Sequence, residues 1–188
     1  MKKFILILFI IIFSAPSING KAQRKWQGYL IPQEYVIVDS LTLNGQNTQI
    51  AIFSPYSMTA DGCEKYVDKG ENRILLIKRD SHFYRFDNVI SNDVYGYIDG
   101  NESLKENGNG FELWFEKGQS CTFEYHIYIG FFNSKIKITH ITLITLCNDK
   151  KKVKNIRYKN FLLKNFHRNL IDKLKNKYSS FGFRIQAV

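Results

Sequence analysis

Apolar and polar positions alternate with a period of two along most of this chain. The segments YVIVDSLTL (35–43), TQIAIFS (48–54), NRILLIKRD (72–80), HFYRFDNVI (82–90), NGFELWFEK (109–117), CTFEYHIYIGFF (121–132) and KIKITHITLITLC (135–147) are rich in β-branched and aromatic residues. Such side chains fit a pleated, half-buried surface, and the Gly, Asn, Asp and Ser between the segments are the residues that turn strands. Seven short strands at close intervals predict a mainly β fold, an antiparallel meander that is partly propeller- or sandwich-like. One segment breaks the rhythm. In NFLLKNFHRNLIDKLKNKY (160–178), Leu163, Phe166, Leu170, Leu174 and Tyr178 recur at spacings of three and four, which predicts a single C-terminal α-helix with one apolar stripe. The stripe argues that the helix packs on the sheet. The last residues, SSFGFRIQAV, read as a closing strand or a loose tail.

The last two predicted strands can be registered against each other. A two-residue turn at Asn133-Ser134 places Phe131 opposite Ile136, Ile129 opposite Ile138, Ile127 opposite His140, Tyr125 opposite Thr142 and Phe123 opposite Ile144. Thr122, Glu124, His126 and Tyr128 then point to the other side. This register puts Cys121 on the core face and Cys147 on the opposite face, so a bridge between them is disfavoured. Cys63 becomes the better partner for either. Three cysteines allow at most one internal disulfide, and no C-x-x-C pair or His cluster accompanies them, which argues against zinc.

The first residues stand apart from the β pattern. MKKFILILFIIIFSAPSING has two lysines, an unbroken apolar run from Phe4 to Phe13 and small, turn-forming residues after it, the three-part build of a secretory signal. The run is too short to cross a hydrocarbon core of roughly 30 Å as a helix. Cleavage after Gly20 or Ala22 fits, with Ala22 preferred, which makes 1–22 the signal and 23–188 one β-rich domain of a size that builds a single core. The expected location is therefore periplasmic or extracellular, with no transmembrane segment in the mature chain.

Charge changes the picture more than composition does. The whole chain has a formal net charge of +10, but residues 148–178 alone carry 11 Lys or Arg against 2 Asp or Glu. Residues 23–147 carry 12 against 15. This basic segment, expected to be helical in its second half, suits an acidic protein, an anionic lipid surface or a polyanionic envelope polymer; it equally suits a merely solvated face. Nucleic acid is set aside because an exported protein rarely meets it. Lys151, Lys152, Lys154, Arg157, Lys164, Arg168 and Lys175 are the candidate contact residues, with Trp114 and Tyr128 as exposed aromatic partners on the sheet.

Catalytic sets are hard to assemble. Glu124 and His126 share one strand face and could act as an acid-base pair, although such alternation is the ordinary wet side of a half-exposed sheet. His140 reads as a partly buried structural histidine. Glu112 and Glu116 flank Trp114, as in a sugar-binding face, yet packing Phe111, Leu113 and Phe115 inward exposes those three anyway. No nucleophile elbow, zinc-protease, phosphate-loop or dinucleotide fingerprint is present. The expectation is a non-enzyme without cofactor or catalytic and metal residues.

Taken in order, IPQEYVIVDSLTLNGQNTQIAIFS, NRILLIKRDSHFYRFDNVISN and NGFELWFEKGQSCTFEYHIYIGFF resemble a family of uncharacterised exported bacterial proteins related to FG-GAP or VCBS-type β repeats. That resemblance spans about residues 30–146 and implies a mainly β, exported, non-enzymatic protein. The repeats' calcium loop has the form D-L-N-x-D-G-x-x-D. Here Thr42 stands in place of the first Asp, Asn44 matches the Asn, Gln46 replaces the second Asp, Asn47 replaces the Gly, and Gln49 or Ile50 falls near the last Asp. Calcium needs several oxygen ligands with anionic charge among them. The loop is therefore expected to persist as a hydrogen-bonded Asx-type turn without an ion. Together these features predict a protein-binding protein such as a periplasmic immunity protein that blocks a toxin, with a glycan- or anionic-surface-binding envelope module as the alternative.

Overall fold

The computed structural model describes residues 24–33, 35–55, 57–58, 64–65, 73–90, 103–117, 121–148 and 150–179. The expected signal at 1–22, Cys63 and the closing segment at 180–188 lie outside the described residues. The chain divides into two units, 1–33 and 34–188. In the first, β1 (Lys25–Trp26) and β2 (Tyr29–Leu30) form a small hairpin. Its turn uses Gln27 at φ 51° and Gly28 at φ 93°.

The second unit is mainly β. Its longer strands are β3 (Tyr35–Leu43), β4 (Thr48–Pro55), β7 (Arg73–Arg79), β8 (His82–Ile90), β9 (Ser103–Asn107), β10 (Gly110–Lys117), β11 (Cys121–Phe132), β12 (Lys135–Cys147) and β13 (Lys150–Leu162). Two short strands, β5 (Ser57–Met58) and β6 (Glu64–Lys65), pair with each other. A four-stranded sheet runs β3-β4-β7-β8 and a five-stranded sheet runs β13-β12-β11-β10-β9, both antiparallel throughout. All seven strands expected from the period-two pattern form, along with β9 and β13, which that pattern did not single out.

The two sheets share one core. Ile50, Ile52, Leu75 and Ile77 from the four-stranded sheet join Phe111, Leu113, Ile127, Ile129, Ile138 and Ile141 from the five-stranded sheet. The other face of β4 and β7 is closed as well, with Ala51, Phe53, Ile74 and Leu76 fully buried. Burial on both faces explains why TQIAIF and RILLI read as nearly continuous apolar runs. Two carboxylates tie the sheets at their margins. Leu104 N–H donates to Asp39 Oδ2 at 2.7 Å, and Asn44 donates from its backbone N and Nδ2 to the two oxygens of Glu106 at 3.0 Å each.

The register of the last hairpin differs from the expected one by a single residue. The Asn133-Ser134 turn forms, with Asn133 at φ 54°, and Phe131 faces Ile136 and Ile129 faces Ile138 as expected. A β-bulge then leaves Thr139 without an opposing residue on β11. Tyr128 faces His140, Ile127 faces Ile141, Tyr125 faces Leu143 and Phe123 faces Thr145. Because the side-chain period is two, one extra residue flips every later side chain of β12. Cys147 is thereby moved to the face of Cys121 and directly opposite it. The two form a disulfide with Cα atoms 4.6 Å apart, against the expectation from the unbroken ladder.

The C-terminal segment also differs. Residues 150–162, half of the basic stretch, are strand β13 rather than helix, and the expected helix over 160–178 begins only at Asn169. Leu163–Asn165 make one 3-10 turn, Phe166 is extended, and helix α1 follows as Asn169–Ser179. The delay has a local cause. Arg168 N–H donates to Asn88 O at 2.9 Å on β8, and the Asn169 N–H donates to the His167 ring at 3.3 Å, so the chain docks before it coils. The apolar stripe packs on the sheets: Leu163, Phe166, Ile171 and Leu174 are buried in the common core, with Leu170 and Tyr178 at its margin. No helix among the described residues is long and apolar enough to cross a membrane.

Candidate functional site

Six of the nine expected contact residues fall into two groups on opposite faces of the five-stranded sheet. On the outer face, successive strands bring Lys105, Glu112, Tyr128, His140 and Arg157 into one row, and Trp114, His126, Thr142 and Asn155 into the next. Trp114 lies beside His126, ring centroids 6.3 Å apart, and Tyr128 stacks on His140 at 3.8 Å. Tyr128 and His140 meet because of the bulge at Thr139, which replaces the expected His140–Ile127 pairing. Both ring nitrogens of His126 are directed at carboxylates: Nδ1 is 2.5 Å from Glu112 Oε1 and Nε2 is 3.4 Å from Glu124 Oε2. The nearer partner is Glu112 on the neighbouring strand, not the Glu124 that shares its own strand face.

Electrostatics on this face follow from burial. Desolvation lowers the His140 pKa below its ordinary value, Arg157 lowers it further, and Glu112 opposes both. Burial raises the Tyr128 phenol, with Glu112 adding to the shift and a hydrogen bond to Thr142 opposing it. Thr142 in turn donates to Asn155 Oδ1 at 2.7 Å, so the second row is cross-linked between β12 and β13.

The inner face of the same sheet holds the second group. Beyond the packed core, the ends of β11, β12 and β13 and the last turns of α1 enclose a cavity of about 240 Å³. Its lining is mostly apolar and includes Phe123, Tyr125, Leu143, Tyr178 and the Cys121–Cys147 disulfide. Three of the expected residues, Lys152, Lys154 and Lys175, belong to it as well. Two of their ammonium groups lie close to the lining: Lys175 Nζ is 4.1 Å from the centroid of the Phe123 ring and Lys154 Nζ is 5.1 Å from that of Tyr178. Cation–π attraction of this kind draws flexible lysines across aromatic faces. Burial, with the charge of Asp172 adding to it, pushes the Tyr125 phenol well above its ordinary pKa, so it remains a neutral hydroxyl there.

The remaining candidates lie elsewhere. Lys151 is exposed on β13, Lys164 sits in the 3-10 turn, and Arg168 precedes α1, where its backbone docks on β8. Among the described residues β13 is the outer strand of its sheet, and Lys150, Lys151, Lys152, Val153, Lys154 and Asn155 along it are exposed. Cavity residues such as Phe123, Tyr125 and Tyr178 were not legible as one site, because only the bulge, the disulfide and the folded-back helix bring them together. The calcium-type loop shows a different use of its polar groups. Asn44 is held by Glu106 and Asp39 by Leu104 and Ser40, so the Asn44 amide bridges to another sheet rather than closing its own turn. Among the described residues no three His, Cys, Asp or Glu side chains are grouped to hold a metal ion. No family model, curated protein or solved structure matches the chain.

Proposed function

We propose that this chain is an exported, non-catalytic protein-binding protein, of the kind that neutralises a toxin in the periplasm. In this reading it accepts an extended acidic segment of its partner along β13. The observation that carries the reading is the placement of the basic run: among the described residues, Lys150–Lys154 lie on the edge strand of a sheet, not on a solvated helix. An edge strand presents backbone N–H and C=O groups that another extended chain can complete. Its lysines decide which chain. A second copy brings the same positive row and is repelled, whereas an acidic strand gains both ladder hydrogen bonds and charge complementarity. The same residues that guard the edge against self-association thus select the partner.

A synthetic peptide of alternating Glu and Val tests this by fluorescence anisotropy. Saturable binding is expected, weakened by Lys151→Glu together with Lys154→Glu, and lost when alternate peptide amides are N-methylated. Equal binding of the methylated peptide would refute strand addition. A toxin-like reading frame beside this one would support the immunity role. The envelope-module reading draws on the outer face instead, where Trp114 and the Tyr128–His140 stack offer ring surfaces beside polar side chains. Retention on peptidoglycan that is lost in Trp114→Ala but kept in the lysine variants would favour it.

A further inference from the structure

The lysine-rimmed cavity differs from the β13 edge in shape and chemistry. A strand added at an edge needs a backbone ladder and alternating side chains. This cavity instead offers an apolar chamber with cations at its margin. Its volume of about 240 Å³ exceeds the roughly 150 Å³ that holds a benzene molecule in a protein interior, leaving room for about ten non-hydrogen atoms. That is more apolar body than an Asp or Glu side chain supplies. The walls are ring, aliphatic and disulfide surfaces: Phe123, Tyr125, Leu143, Tyr178 and Cys121–Cys147. Lys152 and Lys154 approach from β13 and Lys175 from α1, so cations from two separate elements converge on one cavity. Glu124 is also part of the lining, but its carboxylate is directed at His126.

We infer that this cavity is a binding site for a single-chain aliphatic carboxylate of medium length, its hydrocarbon among the aromatic and disulfide walls and its carboxylate among Lys152, Lys154 and Lys175. Lys175 lies over Phe123 and Lys154 over Tyr178, where a carboxylate at the rim would exchange weak cation–π contacts for charge-assisted hydrogen bonds. The hydrocarbon supplies affinity through burial, and the head group supplies orientation, as in most small-molecule sites. This site goes beyond the proposed edge-strand function and does not depend on it.

Octanoate, with ten non-hydrogen atoms, is the probe, titrated below micelle formation into the full chain and followed by calorimetry. Saturable one-to-one binding is expected, with no binding of acetate and binding of 1-octanol about tenfold weaker. Lys152→Gln, Lys154→Gln and Lys175→Gln combined should weaken octanoate about tenfold and leave 1-octanol unchanged. Leu143→Trp should fill the cavity and abolish both; Thr145→Phe, nearer the rim, serves the same purpose if the first variant fails to fold by circular dichroism. The inference is overturned if octanoate gives no saturable heat, if 1-octanol binds as tightly, or if a folded cavity-filling variant binds like the wild type. The edge-strand peptide assay is indifferent to Leu143→Trp, so the two readings fail separately.

Discussion

Removing the Cys121–Cys147 disulfide should cost about 3.5 kcal/mol. The bridge joins residues 26 apart, and the chain-entropy relation, applied to a loop of that length at 25 °C, gives that figure for the denatured ensemble alone. Packing changes it little, since Cys121 is half-buried and alanine retains the Cβ of buried Cys147. For a unit of this size each kcal/mol moves the midpoint by about 2–4 °C, so Cys121→Ala/Cys147→Ala should melt about 7–14 °C lower. Residual hairpin structure in the denatured chain would bring the result toward the lower end. Scanning calorimetry of the double variant, and of the wild type with and without reductant, measures the effect. Reduction of the wild type should reproduce the shift, and reductant should not move the variant. Thiol titration gives an independent check: the denatured, unreduced wild type should expose one reactive thiol, that of Cys63. A shift below about 2 °C, or three reactive thiols before reduction, would refute both the register and the reasoning built on it.

Further predictions rest on single residues. A Cβ on Gly110 would lie 1.9 Å from the Ile129 carbonyl oxygen, a backbone atom with no room to move, whereas one on Gly108, at φ 58°, meets nothing within 4 Å. Gly110→Ala should therefore destabilise by about 3 kcal/mol or more in urea unfolding, and Gly108→Ala by only about 1 kcal/mol of backbone strain. The Thr48 hydroxyl is fully buried and has no hydrogen-bond partner among the described residues, so Thr48→Val should be neutral or stabilise by up to about 1 kcal/mol. His140 titrates below its unfolded value of about 6.5. Below that pH the unfolded chain binds the extra proton first, so stability falls on acidification until the folded pKa is passed, and His140→Gln should flatten this part of the pH–midpoint curve. A calcium titration should show no saturable heat, while Asp39→Ala, which removes acceptors from Leu104 and Ser40, should lower stability by about 1.5–3 kcal/mol.

Much of the fold is written in side-chain rhythm. The alternation in CTFEYHIYIGFF and KIKITHITLITLC set both strands and their turn, and the stripe of Leu163, Phe166, Leu170, Leu174 and Tyr178 packs on the sheets, though it omits Ile171, which is buried in the same core. What the rhythm could not convey was β13. KKKVKNIRYKN alternates poorly because an edge strand has one neighbour and exposes lysines on both faces, which reads as a charge run. The candidate residues were partly legible for the same reason: a basic run marks where cations are, not which strand carries them. Trp114 and Tyr128 lie on the outer face as expected, but the nearer partner of His126 comes from β10, 14 residues away, where strand-local spacing carries no information.

Thr139 joins these observations into one chain of cause. Without an extra residue on β12, alternation would run unbroken from Ile136 to Cys147 and leave His140 and Thr142 on the inner face with Ile144. That ladder would place two polar groups in the core. The bulge sits where this conflict first arises: it follows Ile138, keeps Ile136 and Ile138 inside, and then turns Ile141 and Leu143 inward while His140 and Thr142 face outward. Its own hydroxyl is used locally, donating to Tyr128 O at 3.2 Å and lying 3.1 Å from His140 Nδ1. The consequences run the length of the strand. Cys147 arrives opposite Cys121, Leu143 becomes a wall of the cavity, and the next strand, paired to the shifted β12, presents Lys152 and Lys154 to that cavity rather than to the outer face. Polar residues at positions 140 and 142 thus determine, through one unpaired threonine, both the disulfide and the side of the sheet on which the cations gather.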